Sequence, residues 1–486
     1  MLFSSLIFIL CFLPVVTILY YTLFRFSRKL QNSLLLFSSL GFYAWGEPWF
    51  VLVMIASIIL NWFFGLLISK YKNRKRAERT IIIVMLLFNL SIIFVFKYLM
   101  FTIDNLNRYF KMDITTMTII LPIGISFFTF QAVSYVIDIY RGKGIAQKNP
   151  LNVGLYISFF PQLIAGPILR YETVADQIMN RKETISGFSE GVTRFLVGFS
   201  KKILLANNFA LLADKAFSVQ SDQLSFSFAW FGAICYTLQI YFDFSGYSDM
   251  AIGLGKMFGF KFPENFNYPY ISKSTTEFWR RWHISLGSWF RDYVYFPLGG
   301  SRFNNKGRVV FNLLVVWSLT GLWHGANWTF VLWGLLYFVS ISIEKLIGFE
   351  NLGETKGYSF SVSFIKHTYT LCLVMFGWVI FRAENISYAF DYIKAMLPFG
   401  NAPFIDANTF VYFNENWVFI ICGILFSMPI SKTLNRWLYN DKESRAKKIV
   451  VLIWPFIYSL GLVFLFLICM SYLVKGAYNP FIYFNF

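Results

Sequence analysis

One histidine stands where a membrane-like sequence would not be expected to carry an ionisable group. The chain has 486 residues and 3 histidines, and His324 lies in GLWHGANW, inside a run that is otherwise apolar and uncharged. Burying an ionisable side chain in a membrane is costly, so such residues usually have a function. Neutral imidazole is a suitable general base near neutral pH: it can take a proton from a hydroxyl while that oxygen attacks an acyl group. We therefore predict that His324 is catalytic.

The residues around His324 suggest how it is held. If GLWHGANW is one helix, Thr320 lies one turn before His324, and Asn327 and Trp328 lie one turn after it. Gly321 and Gly325 then leave a thin strip of backbone that borders either a cavity or a packed helix. Asn327 is accordingly predicted to support and orient the histidine.

Two aspartates form a second polar cluster in YFDFSGYSDMAIGLGKMFGF. Asp243 precedes Tyr247 by four residues and Asp249 follows Ser245 by four, so each pair can share a helix face. Gly246 permits close approach of a neighbouring helix. Two interpretations are open: interhelical interactions that hold the bundle together, and a supporting role at the site of chemistry.

The segment TEFWRRWHISLGSWFRDYVYFPLGGSR, which begins at Thr276, combines basic and aromatic residues. Its large apolar side chains recur at helical spacing and predict one apolar face of an amphipathic helix that contains His283: Trp279, Trp282, Leu286, and Trp289 or Phe290. The arginines that fall mainly on the other face are Arg280, Arg281 and Arg291. Such a helix lies at the membrane surface as an anchor, or its arginines meet an anionic, phosphate-bearing acyl donor.

Other kinds of chemistry have weaker signals. The sequence has 5 cysteines, all in apolar segments and without a CxxC pair, and its histidines lack metal-ligand spacing, so we predict no metal site. No GxSxG nucleophile elbow accompanies His324, which favours direct acyl transfer over a covalent serine route. The remaining histidine, His367, follows Lys366 and is predicted to lie in a polar surface loop.

The composition indicates that these residues are set in a membrane. Hydrophobic residues make up 57% of the chain and charged residues only 14%, whereas soluble domains carry about a quarter charged residues. The net charge of +18 comes mainly from basic loops between apolar runs, as in cytoplasmic loops of membrane proteins. No nucleic-acid-binding module is visible, so we expect membrane lipid rather than nucleic acid as the surroundings.

Apolar runs long enough to cross a bilayer recur along the chain. We predict an all-α multi-pass membrane protein with about eleven transmembrane helices, one of them a single span over Val309–Ile343. The segment Val153–Leu169, which is interrupted by Pro161, Gly166 and Pro167, is predicted to be re-entrant. The first apolar run, from Leu2, lacks a signal-peptide pattern, and the basic loops after Phe24, Ser69 and Tyr140 place the N-terminus outside.

A series of motifs then resembles the membrane-bound O-acyltransferase (MBOAT) family, in the bacterial branch that includes the alginate O-acetyltransferase membrane subunit. The motifs run through most of the chain in order: FYAWGEPW, FFPQLIAGPILRY, YFDFSGYSDMAIGLGKMFGF, FPENFNYPY, EFWRRWHISLGSWFRDYVYFPLGGSR, GLWHGANWTFVLWG and FRAEN. The resemblance implies one membrane domain over residues 1–486, with N-terminal helices in 1–140, a catalytic core in 141–345 and C-terminal helices in 346–486. It also implies a ring of helices around a thinned central tunnel.

The resemblance implies an activity as well. His324 matches the active-site histidine of the family and His283 matches a second one. The implied donor is cytoplasmic acetyl-CoA, with no bound cofactor, and the implied acceptor is a cell-surface or secreted polysaccharide: alginate-like, peptidoglycan or another exopolysaccharide. An extracytoplasmic SGNH-hydrolase-like partner would complete the transfer at the bacterial inner membrane.

Two other functions remain open at this stage. A related branch of the family transfers D-alanine to teichoic acid and shares the Arg-Trp-His segment and the later histidine. A transporter or lipid-linked sugar flippase would instead use the polar cluster to line a path, although the inverted repeat common in transporters is not apparent.

Overall fold

The computed structural model shows an all-α protein. It describes the whole chain apart from residues 221–222, 303–304, 352–358, 399–402, 441–444, 477, 481 and 483–486, and the described part contains no β-strand. The first ten helices are α1 (Leu13–Tyr21), α2 (Arg28–Ala44), α3 (Phe50–Lys70), α4 (Lys75–Ile93), α5 (Leu99–Phe110), α6 (Ile125–Tyr140), α7 (Pro150–Ser158), α8 (Tyr171–Asn180), α9 (Ile185–Ser200) and α10 (Asn207–Phe217). The next ten are α11 (Phe226–Met257), α12 (Thr275–Arg281), α13 (Ile284–Phe290), α14 (Lys306–His324), α15 (Trp328–Ile347), α16 (Ser359–Arg382), α17 (Ile386–Ala395), α18 (Ala407–Phe426), α19 (Ile430–Asn440) and α20 (Arg445–Val474). Helices α9 and α10 are joined by a π-helical stretch, Lys201–Ala206.

The helices confirm the prediction of a multi-pass membrane protein. Among the described residues, seven helical stretches are long and apolar enough to cross a membrane: Phe50–Lys70, Lys75–Phe110, Ile185–Phe217, Trp328–Ile347, Phe360–Arg382, Ala407–Phe426 and Ile453–Val474. Two shorter apolar stretches, Phe8–Tyr21 and Ile125–Tyr140, accompany them. The total of about eleven spans and their arrangement as a ring around a tunnel stay predictions.

The chain forms two compact units. The first contains residues 1–195 and 247–263, and the second contains residues 196–246 and 264–485. The predicted division into parts at 140 and 345 stays a prediction.

In the first unit, a segment without helix lies buried between α7 and α8. Every residue from Val153 to Leu169 is buried. The hydroxyl of Ser39 accepts a hydrogen bond from the Phe160 N–H (3.0 Å), and the hydroxyl of Tyr156 donates to the Leu169 carbonyl (2.8 Å). Non-helical backbone is tolerated at membrane depth only when protein surrounds it and pairs its polar groups. The segment thus has the burial that the re-entrant prediction requires.

In the second unit, α14 and α15 form a hairpin, so the predicted single span over Val309–Ile343 is wrong. Helix α14 ends at His324 and Gly325 is extended. Asn327 then caps α15 by accepting a hydrogen bond from the Thr329 N–H (3.1 Å). An asparagine in this position satisfies a free donor at the start of a helix, which favours a new helix over continuation of the old one. Hydropathy alone did not reveal the turn because it contains no charge.

The predicted amphipathic helix around His283 is also divided in two. Helices α12 and α13 are separated by Trp282 and His283, and His283 has a left-handed backbone with φ of 45°. Asn265 fixes the bend: its carbonyl accepts from the Ile284 N–H (2.9 Å) and its side-chain oxygen accepts from the Ser285 N–H (3.1 Å). A contact with a residue outside the segment therefore overrides its helical periodicity.

Candidate active site

His324 is the last residue of α14 and is enclosed by aromatic rings. Its side chain is buried, with 8% of the residue exposed. The imidazole centroid lies 4.9 Å from the Trp323 ring, 4.9 Å from the Trp333 ring and 5.0 Å from the Phe381 ring, each at a steep interplanar angle. These rings come from α14, α15 and α16. The imidazole is therefore packed against aromatic rings from three helices.

The turn after His324 determines where the predicted neighbours lie. Thr320 is one turn before His324 on α14, as predicted. The prediction that Asn327 and Trp328 continue the same helix is wrong, because Asn327 is the capping residue of α15. The Asn327 amide also donates to the Glu384 carbonyl (2.9 Å). Its predicted support of the histidine stays a prediction, and its observed contacts hold the turn.

The FRAEN motif is brought to this turn by the fold. Phe381 contacts the imidazole of His324, and the Glu384 carbonyl accepts the hydrogen bond from Asn327. Arg382, which follows Phe381 in the motif, lies over the Phe217 ring (4.5 Å from the centroid) and pairs with Asp214. The FRAEN motif is recognisable in the sequence, but no feature of the sequence predicts that Phe381 lies beside His324.

The glycines near His324 are sites of close packing. A Cβ on Gly321 would lie under 3.0 Å from the Phe330 carbonyl, and a Cβ on Gly334 would lie under 3.0 Å from the Trp317 carbonyl. A Cβ on Gly325 would collide with the Phe330 ring. Of the two predicted surroundings, the structure therefore shows a packed helix at Gly321.

His283 is buried near the same tryptophan that contacts His324. The residue is 1% exposed, its ring lies 6.0 Å from the Trp323 ring, and it meets the Phe244 ring edge to face at 4.5 Å. Phe244 comes from α11 and was not predicted as a site residue. The structure thus brings both candidate histidines to one aromatic neighbourhood.

A hydrogen bond sets the form of the His283 ring. Its Nδ1 lies 3.1 Å from the Asn265 side-chain oxygen, which is identified as oxygen because it accepts the Ser285 N–H. Burial lowers the pKa of His283 to about 3. The ring is therefore neutral near pH 7, and a proton on Nδ1 satisfies the Asn265 oxygen and leaves the Nε2 lone pair as an acceptor.

The two aspartates pair with cations from other helices. Asp243 lies 2.7 Å from the Lys202 ammonium, and its second oxygen accepts from the Ile482 N–H (3.0 Å). Asp249 receives the guanidinium of Arg194 at 2.6 Å. Gly246 lies between them on α11, where a Cβ would come under 3.0 Å from the Gly198 carbonyl. These contacts favour the interhelical interpretation, and a supporting role in catalysis stays a prediction.

The three arginines predicted to meet an anionic donor each have a carboxylate partner. Arg280 pairs with Glu350 (3.0 Å), and its side chain is 66% exposed. Arg281 pairs with Glu277 (2.8 Å), and Arg291 pairs with its neighbour Asp292 (2.8 Å). Such exposed pairs are weak and can exchange for a phosphate, so donor binding stays a prediction.

A carboxylate that was not predicted positions α12. Glu344 of α15 is buried and accepts hydrogen bonds from the backbone N–H groups of Thr275 (2.6 Å) and Thr276 (2.9 Å). A carboxylate at a helix N-terminus satisfies its free donors and complements its dipole. Glu344 therefore ties the segment that contains His283 to the helix that follows His324.

The third histidine is not in a loop, contrary to prediction. His367 lies on α16, and its Nδ1 is 3.0 Å from the Ser272 carbonyl. Among the described residues, no three histidine, cysteine or acidic side chains lie close enough to hold a metal ion.

Comparison with known proteins gives a consistent set of relatives. The sequence model of the membrane-bound O-acyltransferase family matches residues 145–349, a range that contains both candidate histidines. A Pseudomonas aeruginosa protein named "Probable alginate O-acetylase AlgI" is 44% identical over 412 residues, which cover 84% of this chain and 77% of that protein. The Helicobacter pylori "Peptidoglycan O-acetyltransferase" is 35% identical over 428 residues, covering 82% and 80%. The Bacillus subtilis "Teichoic acid D-alanyltransferase" is 32% identical over 277 residues, covering 54% and 69%.

Proposed function

The chain belongs to the membrane-bound O-acyltransferase family, and from this premise we propose that it O-acetylates a cell-surface or secreted polysaccharide. As a member of this family it is a multi-pass membrane acyltransferase. The observation that carries the proposal is the placement of His324, a buried imidazole at a helix end within the range that matches the family. The two relatives with O-acetyl activities in their names support acetyl as the group transferred.

The proposed reaction uses His324 as general base. The imidazole takes the proton of an acceptor hydroxyl while the hydroxyl oxygen attacks the carbonyl carbon of an acetyl thioester. A carbon–oxygen bond forms, the carbon–sulfur bond breaks, and the proton is returned to the leaving thiolate. His283 would position the reacting groups in its neutral form. The donor would be acetyl-CoA, whose phosphates suit Arg280, Arg281 and Arg291.

The proposal includes a direction across the membrane. We place the protein in the inner membrane of a bacterium with its N-terminus outside, so that the basic loop over residues 70–79 faces the cytoplasm. Acetyl groups would enter from that side and leave on the other. An extracytoplasmic SGNH-hydrolase-like protein would accept them and complete transfer to the polysaccharide.

Acetyl transfer is favoured over D-alanyl transfer by the extent of similarity. The alginate O-acetylase relative matches 84% of this chain, whereas the D-alanyltransferase matches 54% at lower identity. The chemistry of a histidine base is the same for both groups, so the site alone does not separate them.

The proposal is tested by identifying the esters that depend on this protein. Surface and secreted polymers from wild-type and gene-deleted cells are treated with mild alkali, and the released acids are measured by mass spectrometry. We expect acetate to fall on deletion and to return when the gene is restored. Loss of D-alanine with acetate unchanged would identify the alternative cargo, and no change in either acid would refute acyl transfer to these polymers.

A further inference from the structure

A column of aromatic side chains extends from His324 within the second unit. We use "aromatic column" for Trp279 of α12, Trp317 of α14, Trp333 and Tyr337 of α15, and Trp378 of α16. Trp333 connects the column to the imidazole, at 4.9 Å. The column therefore begins where the proposed acyl group would react.

The rings of the column are in contact with one another. The Trp333 centroid lies 5.3 Å from Trp279 and 5.0 Å from Tyr337. Trp317 lies 5.0 Å from Trp279 and 5.4 Å from Tyr337. Contacts at these distances fill the space between the four helices, so a flexible chain cannot pass between the rings without displacing one.

The column has little freedom to widen. Trp333 and Tyr337 are both 0% exposed. The Tyr337 hydroxyl packs on the backbone of Gly377, where a Cβ would lie under 3.0 Å from it. Gly321 and Gly334 similarly bring the backbones of α14 and α15 together beside Trp333. The backbone thus supports the rings on both sides.

The column also presents hydrogen-bond donors. Within the described part of the chain, the Trp279 and Trp333 indole N–H groups and the Tyr337 hydroxyl are buried without a hydrogen-bond partner. Leaving a buried polar group unpaired costs roughly 1–3 kcal/mol. An indole N–H can only donate, so the ligand that would satisfy it must bring an acceptor, such as an acyl carbonyl oxygen.

We propose that the aromatic column limits the acyl donor to short chains, with Trp333 as the residue that determines chain length. This inference rests on the proposed function of His324. A methyl group can follow the reacting carbonyl carbon next to Trp333, whereas a longer chain meets the rings that fill the column. The Trp333 N–H, which has no hydrogen-bond partner among the described residues, would donate to the carbonyl oxygen of the bound acyl group.

The test compares acyl-CoA donors of increasing length. Purified full-length protein in nanodiscs is supplied with acetyl-, propionyl-, butyryl- and hexanoyl-CoA, with water as the acyl acceptor, and the CoA released by hydrolysis of the thioester is followed with a thiol reagent. The variants are Trp333→Ala, which removes the ring, Trp333→Leu, which keeps an apolar side chain, and Trp333→Phe, which removes only the donor and part of the ring. Trp328→Ala serves as the matched control because Trp328 lies on the same helix but is 45% exposed.

The expected result is a change in selectivity. Single methylene differences in apolar pockets change selectivity about 10- to 200-fold, so Trp333→Ala and Trp333→Leu should raise the butyryl-to-acetyl ratio at least about tenfold. Trp333→Phe should lower acetyl turnover with a smaller change in the ratio, and Trp328→Ala should leave the ratio unchanged. If Trp333→Ala does not fold, Trp333→Leu carries the test.

Two failures can be told apart. If the wild type and His324→Ala release CoA equally from every donor, the proposed function is wrong. If wild-type release depends on His324 but the ratio is the same in all Trp333 variants, the function stands and the length limit is refuted. In that case the column is structural.

Discussion

At the scale of single residues, the protein places two histidines in different environments around Trp323. His324 ends a helix within a cage of rings, whereas His283 lies in a bend and bonds to Asn265. His324 was predicted to be functional because an ionisable residue is rare in an apolar run, and this role stays a prediction. The rings around it could not be predicted, because Phe381 comes from a distant helix and Trp333 from the far side of an unrecognised turn.

The burial of His283 predicts that acid destabilises the fold. Its folded-state pKa is lowered to about 3, against 6.5 for the free side chain. Protonation therefore favours the unfolded state, and stability that is present above pH 6.5 is lost as the pH falls toward 3. Between pH 7.5 and 4.5 this loss amounts to about 3 kcal/mol.

The measurement compares thermal unfolding of the wild type and His283→Gln at those two pH values. Glutamine keeps a polar amide but does not titrate, so the variant should lose less stability on acidification than the wild type. Equal losses in both proteins would show that His283 does not titrate between the two states. Comparing the change in each protein removes any constant effect of the substitution.

At the scale of elements, the site depends on where helices stop. The sequence predicted that apolar helices recur along the chain, and seven helical stretches among the described residues are long and apolar enough to cross a membrane. It did not predict the break after His324 or the one at His283. The first depends on a capping asparagine inside an uncharged run, and the second on Asn265, which lies outside the broken segment. Local periodicity contains no information on such a tertiary contact.

The close approach of α14 and α15 predicts that Gly321→Ala is destabilising. The new methyl group would meet the Phe330 carbonyl at under 3.0 Å, and both helices would have to separate. Overpacking of this kind costs about 1–3 kcal/mol. Because His324 ends α14, we also expect CoA release to fall.

Thermal unfolding in detergent checks this prediction, with Gly41→Ala as the control. A Cβ on Gly41 of α2 meets nothing within 4 Å, so alanine should be neutral or slightly stabilising there. If Gly321→Ala unfolds at the wild-type temperature, the close packing of the hairpin is not as described.

At the scale of the whole molecule, the composition predicted a membrane protein and the ordered motifs predicted its family. The apolar helices and the comparisons with known proteins confirm both predictions. The role of the chain after α20 was not predicted. There the Ile482 N–H bonds to Asp243, the Pro480 carbonyl accepts from Lys202, and the Asn479 side chain lies 3.2 Å from that of Asn207. A buried ion pair is thus linked to backbone groups near the end of the chain.

This link predicts that Asp243→Asn acts on stability. Removing one partner leaves Lys202 buried without its counter-charge, which costs about 3–5 kcal/mol. The double variant Lys202→Met/Asp243→Asn should recover much of that loss. Unfolding temperatures of the three proteins provide the measurement. A stable Asp243→Asn protein that has lost CoA release would instead assign Asp243 to the catalytic site.

The central claim is that His324 is the base of an acyl transfer to a polysaccharide. It is tested most directly by restoring gene-deleted cells with the wild type or with His324→Ala, at matched amounts of protein in the membrane, and measuring ester-linked acetate on the surface polymer. We predict that the wild type restores acetate and that His324→Ala leaves it at the level of the deletion. Restoration of wild-type acetate by His324→Ala would contradict the role assigned to this histidine.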